Sequence, residues 1–220
     1  MVSEQSAFWS KVADKYDRVV DLQIGRKTRS LVRERLTKEP RLGHVAEFGC
    51  GTGFYTQTLA EKADTIVATD ISPGMLDMAR SRIHASNVQF QQEDCQVTSF
   101  SDDAFDCAFI SLVLHFTEPE KTLVEMHRIL KPGGTLIIAN LDLHALRGLD
   151  RARCLLRILY HGLAGYRVKP PRKFGKNVIP EKQLSELLNQ SGFMVKGTET
   201  IRDRSRSSNI PVEYVRAVKG

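Results

Sequence analysis

Only four cysteines occur in 220 residues; Cys50, Cys95, Cys107 and Cys154 stand far apart, with no CxxC pair among them. This spacing provides neither a disulfide scaffold nor a zinc knuckle. The longest apolar stretch, Phe105 to Phe116, is too short to span a bilayer and carries Asp106 near its start. Met1 to Ser10 lacks the basic start and apolar run of a secretory leader. A reducing, cytoplasmic setting without a transmembrane segment is therefore expected. Neither Gly-Lys-Ser nor Gly-Lys-Thr occurs, which argues against a phosphate-binding P-loop. Internal repeats and low-complexity tracts are also missing.

What remains is a composition of 41% hydrophobic and 26% charged residues in 24.8 kDa, suited to one globular domain with a cap. Its net charge of +6 is unevenly spread. Residues 46–140 carry six basic and thirteen acidic side chains, whereas residues 141–180 carry nine and two. An acidic body is thus joined to a basic insert, Arg147 through Lys176. Such a rim is either plain solvated surface or an attractor for an anionic substrate, RNA or an anionic membrane surface.

Periodicity divides the chain into alternating elements. Residues 5–38 read as one or two helices, stopped by Pro40. Strands are expected at 44–48, 65–69, 88–92, 105–110 and 135–139, with helices at 54–62, 73–83 and 117–130 between them. Ser72 suits the cap of the 73–83 helix, with Pro73 at its first position. Thr117-Glu118-Pro119-Glu120 fits a capping box. After an irregular stretch over 141–176, Pro180 opens a helix to Gln190, Gly192 ends it, and 193–200 and 211–218 close the pattern as strands. Strands alternating with helices imply an α/β fold: a Rossmann-like, mostly parallel sheet with helices on both faces, an antiparallel C-terminal strand and helical cap elements. The expected organisation is one domain, with a helical lid (1–42), a cofactor-binding core (43–140), a variable insert (141–179) and a closing helix and strands (180–220).

The sharpest motif is Glu47-Phe48-Gly49-Cys50-Gly51-Thr52-Gly53, between the first strand and the next helix. Glycines at alternate positions permit a tight turn and close approach of a ligand. Asp70 follows Gly49 by 21 residues at the end of the second strand, where a carboxylate accepts ribose hydroxyls. Asp94, after the third strand, stands where a carboxylate reaches an adenine amino group. The dinucleotide fingerprint needs its third glycine one position later, where Phe54 stands. The turn therefore fits an adenosine cofactor lacking a pyrophosphate better than it fits NAD.

The run from Val45 to Ala139 resembles the class I S-adenosylmethionine-dependent methyltransferases. Glu47-x-Gly49-x-Gly51-x-Gly53 resembles their first motif, Asp70 their second-strand acid, and Asp94-Cys95 the pair that brackets adenine. Phe105-Asp106-Cys107-Ala108 and Leu130-Lys131-Pro132-Gly133-Gly134 resemble the fourth-strand motif and the turn before the fifth strand. Phe8-Trp9-x-x-Val12-Ala13-x-x-Tyr16-Asp17 and Ser191-Gly192-Phe193 are similar to the small-molecule branch, especially its menaquinone- and ubiquinone-type quinone methyltransferases. The resemblance implies S-adenosyl-L-methionine as cofactor. It places the methionine portion on the Gly49–Gly53 backbone and the ribose on Asp70, with Ile71 and Met75 beside adenosine. Tyr16 then closes the site from the lid, and Ser111 and Leu112 lie beside the methionine end. Cys50 reads as a small filler in the loop rather than a nucleophile.

For the chemistry, His115 beyond the fourth strand is either a general base or a loop anchor. Tyr160, His161 and Tyr166 in the insert either face substrate or pack. No Asp/Asn/His constellation calls for a metal. Ser111-Leu112-Val113-Leu114 occupies the place of the Asn-Pro-Pro-Tyr type tetrapeptide of amino-methylating enzymes, leaving oxygen, sulfur or carbon acceptors open. The expected partner is a small acceptor, apolar or anionic, under an insert whose Leu155-Leu156-x-Ile158-Leu159 is bordered by Arg151, Arg153 and Arg157. That segment is also compatible with grazing a membrane. Two alternatives stay open: an RNA or protein methyltransferase docking through residues 141–180, and a non-catalytic cofactor-binding regulator on the same fold.

Overall fold

A computed structural model describes residues 4–146, 148–154, 156, 179–205 and 209–220. Three helices open the chain: α1 (Glu4–Val12), α2 (Tyr16–Gln23) and α3 (Arg26–Thr37). There follow β1 (Gly43–Phe48), α4 (Thr56–Lys62), β2 (Ala63–Asp70), α5 (Pro73–Arg82), β3 (Val88–Gln92), β4 (Phe105–Ser111), α6 (Pro119–Ile129) and β5 (Leu130–Leu141). The chain closes with α7 (Glu181–Gln190), β6 (Phe193–Ile201) and β7 (Val212–Lys219). The seven strands form one sheet in the order β3-β2-β1-β4-β5-β7-β6. β1 pairs in parallel with both β2 and β4, and β7 runs antiparallel to its two neighbours β5 and β6.

Alternation along the strands sorts side chains between two layers. Val45, Cys107, Phe109, Ile137 and Tyr214 pack on one face with Val32 and Leu36 of α3, Leu59 of α4 and Leu76 of α5. Ala46, Phe48, Ile110, Ile138 and Val215 pack on the other with Leu123 and Met126 of α6 and Leu184 and Leu188 of α7. Continuous apolar strands are what a sheet covered on both faces requires.

Several local expectations change. α3 belongs to the core rather than to a lid, because Val32 and Leu36 are fully buried against the sheet. The helix expected from Phe54 begins at Thr56, since the glycine turn continues through Tyr55. Ser72 does cap α5, accepting the Met75 N–H at 3.2 Å, with Pro73 beside it. The capping box at Thr117 does not form. Glu118 takes the cap position without a side-chain capping bond, while the Thr117 hydroxyl donates to the Leu114 carbonyl and accepts from Thr122. Residues 148–154 are helical, where the insert was read as irregular. No helix among the described residues is long and apolar enough to cross a membrane.

Candidate functional site

The sheet order reverses at β1, which has β2 on one side and β4 on the other. Open α/β sheets bind ligands outside the carboxyl ends of their strands at such a point. A crevice opens there, lined by the glycine turn, Asp70 and Asp94.

Its floor is the glycine turn. Gly49 has φ +63°, and a Cβ there would stand 2.2 Å from Val113 Cγ2, so only glycine fits between β1 and the β4 exit. Leu112, beside Val113, also lines the crevice and holds φ +58°, a left-handed conformation costly for a branched side chain. The Leu112 N–H donates to the Ala139 carbonyl at 2.8 Å, which fixes the turn beside β5.

Asp70 is buried at the end of β2, where its carboxylate accepts the Gly51 N–H at 3.0 Å and the Ser72 N–H at 2.9 Å. Burial raises it to about 6 despite those bonds. One side chain therefore shapes the glycine turn and lines the crevice. Asp94 also lines it, accepting the backbone and side-chain N–H groups of Gln96 at 3.0 and 3.2 Å.

The roof comes from α1. Trp9 stands edge-on to Tyr16 and Phe116, with ring centroids 5.7 and 5.0 Å away. Gln5 Nε2 donates to the Phe116 carbonyl, and the Ser6 hydroxyl to the Ile71 carbonyl. Gly74 lets α1 and α5 meet, since a Cβ there would lie 2.9 Å from Ser10 Cα.

Of the residues expected around a cofactor, Tyr16, Gly49, Gly51, Asp70, Ile71, Met75, Asp94, Cys95 and Leu112 line this crevice. Cys50 and Ser111 line a small adjoining cavity, together with Arg29 and Tyr55. The Ser111 hydroxyl and Arg29 Nε have no hydrogen-bond partner there. Gly53 and Glu47 line neither space. Gly53 instead packs on Ala79 and Ile83 at the far side of the turn. Glu47 is sealed in the core, its Oε2 unpartnered; burial, with Asp70's charge adding, raises it to about 8. Burial also pushes the Cys50 thiol upward, which agrees with a filler and not a nucleophile.

His115 lies outside both spaces. It is 6% exposed, its ring centroid 3.8 Å from that of Phe116, and its Nδ1 is unpartnered. Burial lowers it to about 3, too weakly basic for efficient proton removal at neutral pH. The geometry therefore favours the loop anchor. Tyr160, His161 and Tyr166 lie outside the described residues.

Sequence reasoning missed Trp9, Gln5, Phe116, Gln96 and Arg29 as parts of the site. Arg29 is 3% exposed and pairs with Asp17 at 2.9 Å and Asp21 at 2.8 Å. Its guanidinium also lies 3.8 Å from the Phe54 ring centroid. A lone arginine on a basic helix gave no sign of that burial.

Residues 46–138 match a family described as a methyltransferase domain. The demethylmenaquinone methyltransferase of Clavibacter sepedonicus is 35% identical over 137 residues, covering 60% of this chain and 56% of that protein. The malonyl-[acyl-carrier protein] O-methyltransferase of Serratia marcescens is 30% identical over 150 residues, covering 67% and 56%. The chain thus spans little more than half the length of these curated relatives. A crystal structure of a Thermotoga maritima S-adenosylmethionine-dependent methyltransferase has the same fold, with TM-score 0.70, 21% identity and coverage of 99% of this chain and 100% of that one.

Proposed function

We propose that the chain, whose residues 46–138 match a methyltransferase-domain family, transfers a methyl group from S-adenosylmethionine to an oxygen, sulfur or carbon atom of a small molecule. The observation that carries this reading is Asp70, a buried carboxylate that bonds the glycine turn and faces the crevice at the sheet's reversal point. The crevice suits the cofactor: of the acids that line it, Asp70 suits ribose and Asp94 adenine, and the neighbouring cavity is lined by the Ser111 hydroxyl.

When bound, S-adenosylmethionine supplies an electrophilic methyl group on a sulfonium. Asp70 would hold the ribose, and Asp94 with Ile71, Met75 and Cys95 the adenine. The backbone from Gly49 to Gly53, with Cys50, Ser111 and Leu112, would hold the methionine portion. Trp9, Tyr16 and Phe116 exclude water from above. Holding the cofactor in one orientation is the chain's main contribution, because alignment alone supplies about 7 kcal/mol or more in the best intramolecular models.

The small-molecule class is supported by relatives named for demethylmenaquinone and for malonyl-acyl carrier protein. Calorimetry with S-adenosylmethionine, S-adenosylhomocysteine and NAD tests the cofactor half. Tight NAD binding without S-adenosylmethionine binding would overturn it. Transfer of tritiated methyl to a demethylmenaquinol, compared with total RNA, tests the acceptor class; label in RNA alone would replace it with nucleic-acid methylation.

A further inference from the structure

Glu213, near the start of β7, is 1% exposed, and among the described residues neither carboxylate oxygen has a hydrogen-bond partner. Opposite it in the β5–β7 register stands Asn140, also 1% exposed, whose Oδ1 is likewise unpartnered. Asn140 Nδ2 reaches only the Ile179 carbonyl, at 3.4 Å. Three adjacent buried acceptors without donors are rare, because buried polar oxygens are nearly always bonded. Leaving a buried acceptor without a donor costs stability, which a donor reaching it recovers.

The pair's location gives such a donor a role. Asn140 and Glu213 share a face with Ile138 and Val215, at the carboxyl end of β5. Residue 139, next to Asn140, receives the N–H of Leu112, which lines the crevice. The pair therefore lies on β5, the strand beside β4, and on its neighbour β7, at the same end of the sheet as the crevice. Asp142 and Glu181 add negative charge, and burial, then those two carboxylates, raise Glu213 to about 7. An anionic group is repelled from such a place, and a hydrogen-bond donor is attracted.

We propose that Glu213 and Asn140 form the acceptor-recognition site, taking a hydroxyl or amino hydrogen-bond donor of the methyl acceptor. This assignment rests on the methyltransferase reading and narrows it: the end of the acceptor that meets β5 and β7 is a donor, not an anion.

The test uses the full chain labelled with ¹³Cδ-glutamate, with the Glu213 resonance assigned from Glu213→Gln. Phenol, and anisole as its donor-free counterpart, are titrated with and without S-adenosylhomocysteine. The expected result is a saturable shift of the Glu213 signal with phenol and not with anisole. Phenol affinity then falls roughly tenfold or more in Glu213→Leu, while the variant keeps its S-adenosylhomocysteine affinity and so remains folded. No response to phenol, or equal responses to both probes, overturns the proposal. Failure of S-adenosylhomocysteine to bind counts against the cofactor reading instead, because the phenol titration of the free protein still reports on Glu213.

Discussion

The hydroxyl of Thr52, inside the glycine turn, donates to both carboxylate oxygens of Asp17 in α2, at 3.0 and 2.9 Å. The same carboxylate receives Arg29 of α3 and Arg82 of α5. Burial opposes its charge, yet the bonds from Arg82 and Arg29 outweigh that and hold Asp17 below the usual carboxylate range. The roof over the crevice is thereby tied to the loop beneath it through one side chain.

Asp17→Asn is expected to loosen that tie. Losing charge-assisted bonds of about 1.5–3 kcal/mol each lowers the melting temperature and weakens S-adenosylhomocysteine roughly tenfold. Thr52→Val in the Asp17→Asn background then adds little further loss. Calorimetry on the two single variants and the double variant checks the coupling, and fully additive losses would mean that Asp17 and Thr52 act apart.

Asp70→Ala removes the ribose acceptor and also strands the Gly51 and Ser72 N–H groups. The expected outcome is a ten- to hundredfold rise in the S-adenosylhomocysteine dissociation constant, together with a lower melting temperature. Unchanged affinity in a folded variant would show that Asp70 does not meet the cofactor.

His115 is expected to stay neutral through the physiological range, with its proton taken up only near pH 3. Because that value is depressed from 6.5, the unfolded chain binds this proton more readily. The folded state loses stability from His115 as pH falls below about 6.5. Imidazole chemical shifts across pH 4.5–8 check the first point. His115→Asn should keep both turnover and S-adenosylhomocysteine affinity within about threefold, as an anchor predicts, whereas loss of a general base would cut turnover about 10²–10⁴-fold.

Glu47 works in the opposite direction. Raised from 4.5 to about 8, it holds its proton more tightly in the folded state. Its contribution is fully present below pH 4.5 and is lost as pH rises through about 8. Each tenfold change in proton affinity is worth about 1.4 kcal/mol, so Glu47→Gln should flatten the pH dependence by ~2 kcal/mol or more. Urea unfolding of both proteins at pH 5 and 8.5 measures the difference.

Much of this protein was legible in its amino-acid order because the governing constraints are local. Gly49, Gly51 and Asp70 stand at fixed offsets from strand ends, and a parallel sheet with short crossovers brings such positions to one crevice. Ser72 and Pro73 begin a helix by bonds within four residues, and Gly192, with φ +85°, ends one. Apolar runs such as Phe105 to Ser111 mark strands buried on both faces.

Long-range partners decided the rest. Glu47 sits in the motif as a cofactor residue does, yet packing seals it in the core, and sequence spacing carries no measure of burial. His115, which its place after a strand end left open as base or anchor, is buried outside both cavities. The bonds of Asp17 to Thr52, Arg29 and Arg82 join segments 12 to 65 residues apart. Asn140 meets Glu213 only because β7 enters the sheet antiparallel beside β5, a pairing across more than seventy residues. The chain's own order determined the fold and the cofactor-shaped turn through local geometry. Which polar groups lost their water, and so which carry the chemistry, was settled only when the folded layers closed around them.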